Sequence, residues 1–237
     1  MKSIILAGGR SKRLLPITNR KPKCLLKIGG ETLIDRLLHI LKDNEITEIV
    51  MVTGFRAQRL SRYVSESHPD INFTFVENKY YATTLPAYGF YLAREHLEGA
   101  VLYLNSDIYC DSRMIEEVIQ HPEPSVTAIQ ENTWDEEEVN VVLGKDMEIK
   151  EIGKNIAEED SQGEFMGITK LSPEFNNYLK DALNEFERKL DRKKFAVDAI
   201  NLAIEQGAKL VAHDVSQYSA REIDTIDDFN KAKKLAL

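Results

Sequence analysis

The sequence predicts an α/β fold with a mainly parallel central sheet, helices on both faces and a small β extension. Three observations predict it. Short apolar runs rich in β-branched residues alternate with segments of helical period up to residue 122, short strands broken by acidic turns follow, and helical patterns then return. The 237 residues are 43% hydrophobic and 30% charged, enough for one sizeable core, and no Pro/Gly/Ser-rich linker or internal repeat divides them. One compact unit spanning 1–237 is expected.

The elements follow in order. "SIILA" (3–7) is an apolar, β-branched strand, and a glycine-containing loop succeeds it. "TLIDRLLHILKDN" (32–44) spaces Leu33, Leu37, Leu38 and Leu41 at helical intervals. "EIVMVTG" (48–54) reads as a buried strand, "AQRLSRYVSES" (57–67) as a helix and "INFTFVE" (71–77) as a strand. "LPAYGFYLAREHL" (85–97) is a helix opened by Pro86, and "AVLYLNSD" (100–107) is another strand. Asp111 is placed to cap the next helix. "SVTAIQE", "NVVLG", "MEIKEIG" and "GEFMGITKL" are short strands separated by turns such as "GKD" and "EEDSQG"; they extend the sheet or form a small flap. "PEFNNYLKDALNEFERKL" (173–190) and "FAVDAINLAIEQG" (195–207) are helices, "KLVAHDV" (209–215) is a strand, and "DDFNKAKKLAL" closes the chain as a helix opened by Asp227 and Asp228. Ligands of such sheets bind beyond the carboxyl ends of the strands, where both "AGGRSK" and "NSD" fall.

Charge narrows the function classes. The net charge of −8 argues against a broad nucleic-acid surface, but residues 1–30 hold eight Lys/Arg and no Asp or Glu, leaving −16 on the remainder. A polyanion site built from the first segment explains that split; a solvated basic edge is the competing explanation. No apolar stretch is long enough to span a bilayer and the N-terminus lacks signal-peptide character, so a cytoplasmic protein without membrane contact is expected. Cys24 and Cys110 are two isolated thiols beside apolar runs, which make neither a disulfide framework nor a zinc site and are expected to be reduced and buried.

The first strand-to-helix passage carries the chemistry. "LAGGRSKRLLPITNRKPKCLL" contains neither G-x-G-x-x-G nor G-x-x-x-x-G-K-[ST]. It offers a Gly8-Gly9 turn whose backbone N–H groups can approach a ligand closely, then Arg13, a spacer, and Lys23. Two separated cations on one anchored loop suit a triphosphate: Arg13 can fork around the leaving phosphates and Lys23 can neutralise the centre under attack.

These residues resemble the signature of nucleotidyltransferases that join a nucleoside triphosphate to a phosphorylated sugar or alcohol, L-A-[AG]-G-x-G-x-R-L-x-P-[LI]-T…P-K-x-L. Leu6, Ala7, Gly8, Gly9, Arg13, Leu14, Pro16, Thr18, Pro22, Lys23 and Leu25 stand in register with it. "LNSDIY", "GEFMGITKL" and "REIDTIDDFNKA" extend the similarity over nearly the whole chain. The resemblance implies a Rossmann-like fold of the nucleotide-diphospho-sugar transferase type, with residues 1–122 as the nucleotide-binding half and 123–237 as the acceptor-binding half. It implies Mg²⁺ between Asp107 and Asp224, Lys23 and Arg13 in catalysis, and nucleotide contacts from Leu6 to Arg13, including Arg10, Ser11 and Lys12, and from Thr83, Thr84 and Ser106. Each aspartate follows an apolar run at a strand end, and Mg²⁺ favours one or two carboxylates with phosphate and water oxygens.

The usual Gly-rich run after the third strand is absent, and "ENKYYATTLPAYGFYLA" is more similar to the branch that uses CTP with choline phosphate, phosphonates or inositol phosphate. The implied partners are an NTP, CTP favoured, and a phosphorylated small-molecule acceptor held by Lys23, Trp134, Glu164 and Asp198. A homodimer is compatible with the sequence. A tryptophan face with carboxylates nearby suits an ammonium group, and a rim Trp beside a solvated acidic run suits Trp134 equally. A sugar-1-phosphate nucleotidyltransferase, a metal-dependent glycosyltransferase and a weakly active nucleotide-binding domain are the alternatives. Two positions depart from the family: Thr84 replaces the usual Asn, and Ser11 replaces the usual Gly. A negative φ at Ser11 is expected, which keeps the cradle and adds a hydroxyl donor.

Overall fold

The computed structural model describes residues 1–131 and 138–235. The first half holds β1 (Lys2–Leu6), a short hairpin of β2 (Lys27–Ile28) and β3 (Glu31–Thr32), α1 (Leu33–Asp43), β4 (Glu48–Thr53), α2 (Ala57–Ser67), β5 (Asn72–Glu77), α3 (Pro86–Leu92), β6 (Val101–Asn105), β7 (Ile108–Cys110) and α4 (Ser112–Gln120). The second half holds β8 (Val126–Gln130), β9 (Asn140–Leu143), β10 (Ile149–Gly153), β11 (Glu164–Leu171), α5 (Pro173–Arg188), α6 (Ala196–Glu205), β12 (Val211–Asp214), β13 (Ala220–Glu222) and α7 (Ile226–Ala232).

Nine of the described strands form one sheet in the order β10-β9-β11-β6-β1-β4-β5, with β8 on β11 and β12 on β8. β5, β4, β1 and β6 run parallel, while β11 is antiparallel to β6, β8 and β9. The chain winds outward from β1 through β4 to β5 and then returns to the other side of β1 as β6. That reversal opens a crevice at the carboxyl ends of β1 and β6. The short strands of the second half therefore extend the sheet.

Both faces of β1, β4 and β6 are buried, which explains why they read as continuous apolar runs, while β5 at the sheet edge is largely exposed. Ile5, Ile49, Met51, Leu102 and Leu104 face one core with α1, α2 and α4; Ile4, Val50, Val52, Val101 and Tyr103 face the other with α3, α5 and α6. Caps set the helix starts. Asp35 N–H donates to Thr32 Oγ1 at 3.1 Å and Thr225 Oγ1 accepts from Asp228 N–H at 3.1 Å, while Asp111 caps α4 as expected.

Three local expectations are corrected. Residues 85–97 are two pieces, because α3 ends at Leu92 and Arg94–His96 form a 3₁₀ turn. The final helix carries Asp227 and Asp228 in its first turn as expected, but it ends at Ala232 and does not continue through Lys233 and Lys234. "REIDT" is not merely a helix approach: it carries β13, which pairs antiparallel with β7. Cys24 and Cys110 are buried free thiols, both pushed up to about 12 by burial. Among the described residues no helix is long and apolar enough to cross a membrane.

Candidate active site

β1, β4 and β6 end level, with Leu6 opposite both Val52 and Asn105. Their carboxyl ends floor a cleft of about 760 Å³. The first wall is the glycine turn, held against β4 by Ala7 N–H donating to Val52 O at 2.8 Å and Phe55 N–H donating to Gly8 O at 3.0 Å. This approach requires Gly54, where a Cβ would lie 2.6 Å from Gly8 O and 2.8 Å from Tyr81 Cβ. Gly54→Ala is expected to cost about 1–3 kcal/mol by overpacking and to raise the nucleotide KM by pushing the loop into the cleft, as thermal melts and steady-state kinetics will show.

Ser11 corrects the sequence expectation. Its φ is +50° with ψ +59°, in the left-handed region, because the chain must reverse there before the 3₁₀ turn Lys12–Leu14. A glycine enters that region without cost and a serine does not. Thr18 Oγ1 donates to Ser11 O at 3.1 Å and holds the turn. Ser11→Gly is accordingly expected to stabilise the protein by about 1 kcal/mol, roughly 2–4 °C in Tm for a chain of this size. Differential scanning calorimetry checks this; a lower Tm would contradict the strain.

Lys23 occupies the centre of the site. Its ammonium lies 2.6 Å from Asp107 Oδ2 and 2.7 Å from Asp224 Oδ1, and only 10% of its side chain is exposed. Arg13 bonds the other oxygen of Asp224 through Nη2. The small β7–β13 sheet brings these distant residues together, with Ile223 N–H donating to Asp107 O at 2.9 Å and Glu222 opposite Ile108. Ligand oxygens of Asp107, Glu222 and Asp224 fall within 4.8 Å of one another. Burial alone would depress Lys23, but the fields of Asp107, Asp224 and Glu222 outweigh it and raise its pKa. Burial works against the Asp224 carboxylate too, yet Lys23 and Arg13 hold it below the usual range. Glu222, desolvated and facing both aspartates, is pushed up to about 8.

Asp107 Oδ1 is buried and has no hydrogen-bond partner, an arrangement costly unless a ligand completes it. An orphaned carboxylate oxygen beside two further carboxylates fits a hard divalent cation, which takes oxygen donors from one or two acids, phosphate and water. Asp107 and Asp224 would hold it, with Glu222 beside them.

Residues 3–166 match the MobA-like NTP transferase domain. The chain belongs to that family. Among curated proteins, the bifunctional IPC transferase and DIPP synthase of Aquifex aeolicus is 26% identical over 98% of this chain and 51% of its own length. The CTP:phosphoglutamine cytidylyltransferase of Campylobacter jejuni is 25% identical over 74% of each. The chain thus spans about half of the first relative and three quarters of the second. The solved structure of CTP:phosphocholine cytidylyltransferase from Streptococcus pneumoniae shares the fold, with a TM-score of 0.79 at 22% identity over 98% of this chain and 97% of that one.

In this MobA-like domain the expected residues divide by position. Leu6, Ala7, Gly8, Gly9, Ser11, Arg13, Lys23, Thr84, Ser106, Asp107, Asp198 and Asp224 line the cleft. Arg10, Lys12 and Thr83 are not among the lining residues: Arg10 lies over the Phe55 ring and Thr83 Oγ1 donates to Tyr80 O at 3.2 Å. Thr84 is engaged by Asn78 Nδ2 at 3.0 Å. Asp198 spends one oxygen on Phe195 N–H at 2.6 Å, at the start of α6. Glu164 opens β11 and adds its field to Glu222. Trp134 lies outside the described residues.

Sequence reasoning did not assign Glu222, Asn78, Glu151, Lys154 or Asn201, all of which line the cleft. Glu222 had a readable signal, since it stands two residues before Asp224, which was already chosen. The others come from loops and second-half elements whose approach to β1 no local pattern announces.

Proposed function

We propose that this chain transfers a nucleotidyl group from a nucleoside triphosphate, CTP by preference, to the phosphate of a small alcohol or to a phosphonate, with Mg²⁺ and with release of pyrophosphate. The observation that carries this reading is Lys23 lodged between Asp107 and Asp224 at a glycine-walled cleft. Support for cytidine comes from the Campylobacter and pneumococcal proteins, both named for CTP, and from the missing Gly-rich run before α3.

On this reading the residues divide the labour. Backbone N–H groups of the Gly8-Gly9 turn and the Arg13 guanidinium receive the triphosphate. An oxygen of the acceptor forms a bond to the α-phosphorus while the bond from that phosphorus to the β-phosphate oxygen breaks. The electron pair leaves with pyrophosphate. A phosphate monoester with a second pKa of about 6 is largely dianionic at neutral pH, so no general base is needed. Lys23 neutralises charge on the attacked phosphoryl group, and Lys154, whose field reaches Asp224, meets the incoming phosphate from the second half. Bound Mg²⁺ would supply further charge neutralisation along the triphosphate.

The test is a matrix of CTP, UTP, dTTP, ATP and GTP against choline phosphate, aminoethylphosphonate, inositol 1-phosphate and common sugar 1-phosphates, scored by pyrophosphate. CTP with a non-sugar acceptor is the expected best pair. Turnover confined to sugar 1-phosphates with UTP or dTTP would replace the reading, and silence across the matrix would remove it.

A further inference from the structure

A second concentration of positive charge lies outside the cleft. Lys21, Lys27, Arg59 and Arg62 line a groove of about 560 Å³ between the catalytic-loop segment and α2, where Glu66 is the acidic lining residue. Among the described residues none of these four cations is ion-paired with a carboxylate. Arg59 is also fixed in place, because its Nη1 donates to Arg20 O at 2.8 Å.

α2 is built against its own electrostatics. Its N-cap is Arg56, left-handed at φ +56° and without a side-chain cap bond, and its first turn contains no acidic residue. Arg56, Arg59 and Arg62 recur every three residues along one side. Unsatisfied N–H groups and the positive end of the macrodipole favour anions at a helix start, so arginines there oppose helix stability. Choices that break a local rule are retained where a site needs them.

We propose that this groove is a second anion site, separate from the catalytic cleft, and that its ligand is a polyphosphate chain, free or carried on a nucleotide. Four cations exceed what one phosphate group requires, and the volume lies within the range of small-ligand sites. Leu25 and the Tyr63 ring supply an apolar wall. Only Pro22, at φ −54°, separates Lys21 in the groove from Lys23 in the cleft, so ligand binding orders the segment that presents Lys23. The coupling rests on the nucleotidyl-transfer reading; the binding does not.

Calorimetric titration with inorganic tripolyphosphate in metal-free buffer is expected to show two binding events in the native protein, with hydrogen-exchange protection at 57–67 as well as 7–14. Arg59→Glu/Arg62→Glu, two exposed changes on α2, is expected to retain its melting temperature and the cleft event while weakening the groove event by about a hundredfold. Parallel titrations with CTP and cytidine separate the sources: tighter protection at 57–67 by CTP than by tripolyphosphate assigns the chain to a nucleotide, and equal protection with none from cytidine assigns it to free polyphosphate. A single event in the native protein, or an unaltered titration of the double variant, overturns the proposal. So does binding of single-stranded RNA or phosphatidylglycerol vesicles through Arg59 and Arg62 without tripolyphosphate protection at 57–67. Both events persisting in a protein that releases no pyrophosphate would sink the catalytic reading and leave the groove standing.

Discussion

Lys23→Ala is expected to lower turnover by roughly 10²–10³-fold, the usual loss when a charge aimed at the transition state is removed. The structure adds a second consequence. Lys23 is 10% exposed and bridges Asp107 and Asp224 with Glu222 alongside, so its removal leaves half-buried Asp107 without a cation and Asp224 with Arg13 alone. Breaking a buried pair costs about 3–5 kcal/mol, and this partly exposed one costs less. The variant should therefore melt lower in EDTA and be stabilised by added Mg²⁺ more than the native protein, because the ammonium no longer competes for the same oxygens. Steady-state pyrophosphate release and melts with and without Mg²⁺ measure both effects. Near-normal turnover, or a melting temperature indifferent to Mg²⁺, would refute this role for Lys23.

Asp107→Asn should show the opposite balance between activity and stability. Its Oδ1 already lacks a partner and its Oδ2 faces Lys23, which also holds Asp224, so the amide removes a charge from a crowded acidic cluster without opening a cavity. Turnover is expected to fall by about a hundredfold or more while the melting temperature in EDTA changes little, and the stabilisation by Mg²⁺ should disappear. A structural carboxylate would behave the other way, losing stability first. A fall in melting temperature that accounts for the lost activity would therefore reassign Asp107 to the scaffold.

Much of the site was legible because its signals are local. The Gly8-Gly9 turn, Arg13 and Lys23 stand close together in one basic segment, and Asp107 and Asp224 each follow an apolar run. What stayed hidden depends on backbone conformation or on contacts between distant segments. Ser11 reads as a harmless donor until its φ of +50° is known. Glu222 stands within "REIDT", yet its place appears only when β13, which it ends, pairs with β7 and brings its carboxylate beside those of Asp107 and Asp224. Arg10 and Lys12 are as basic as Arg13 in the sequence, but the loop directs only Arg13 onto Asp224.

By itself the sequence determined the layered architecture, because hydrophobic period and caps are properties of neighbouring residues, and it located the concentration of positive charge in residues 1–30, because charge can be counted along a chain. Tertiary structure alone decided which carboxylates answer those cations. Lys23 and Asp224 are 201 residues apart, and their 2.7 Å contact exists only because β13 pairs with β7 in one register. Register is set by packing across the whole core, so no short window of sequence contains it.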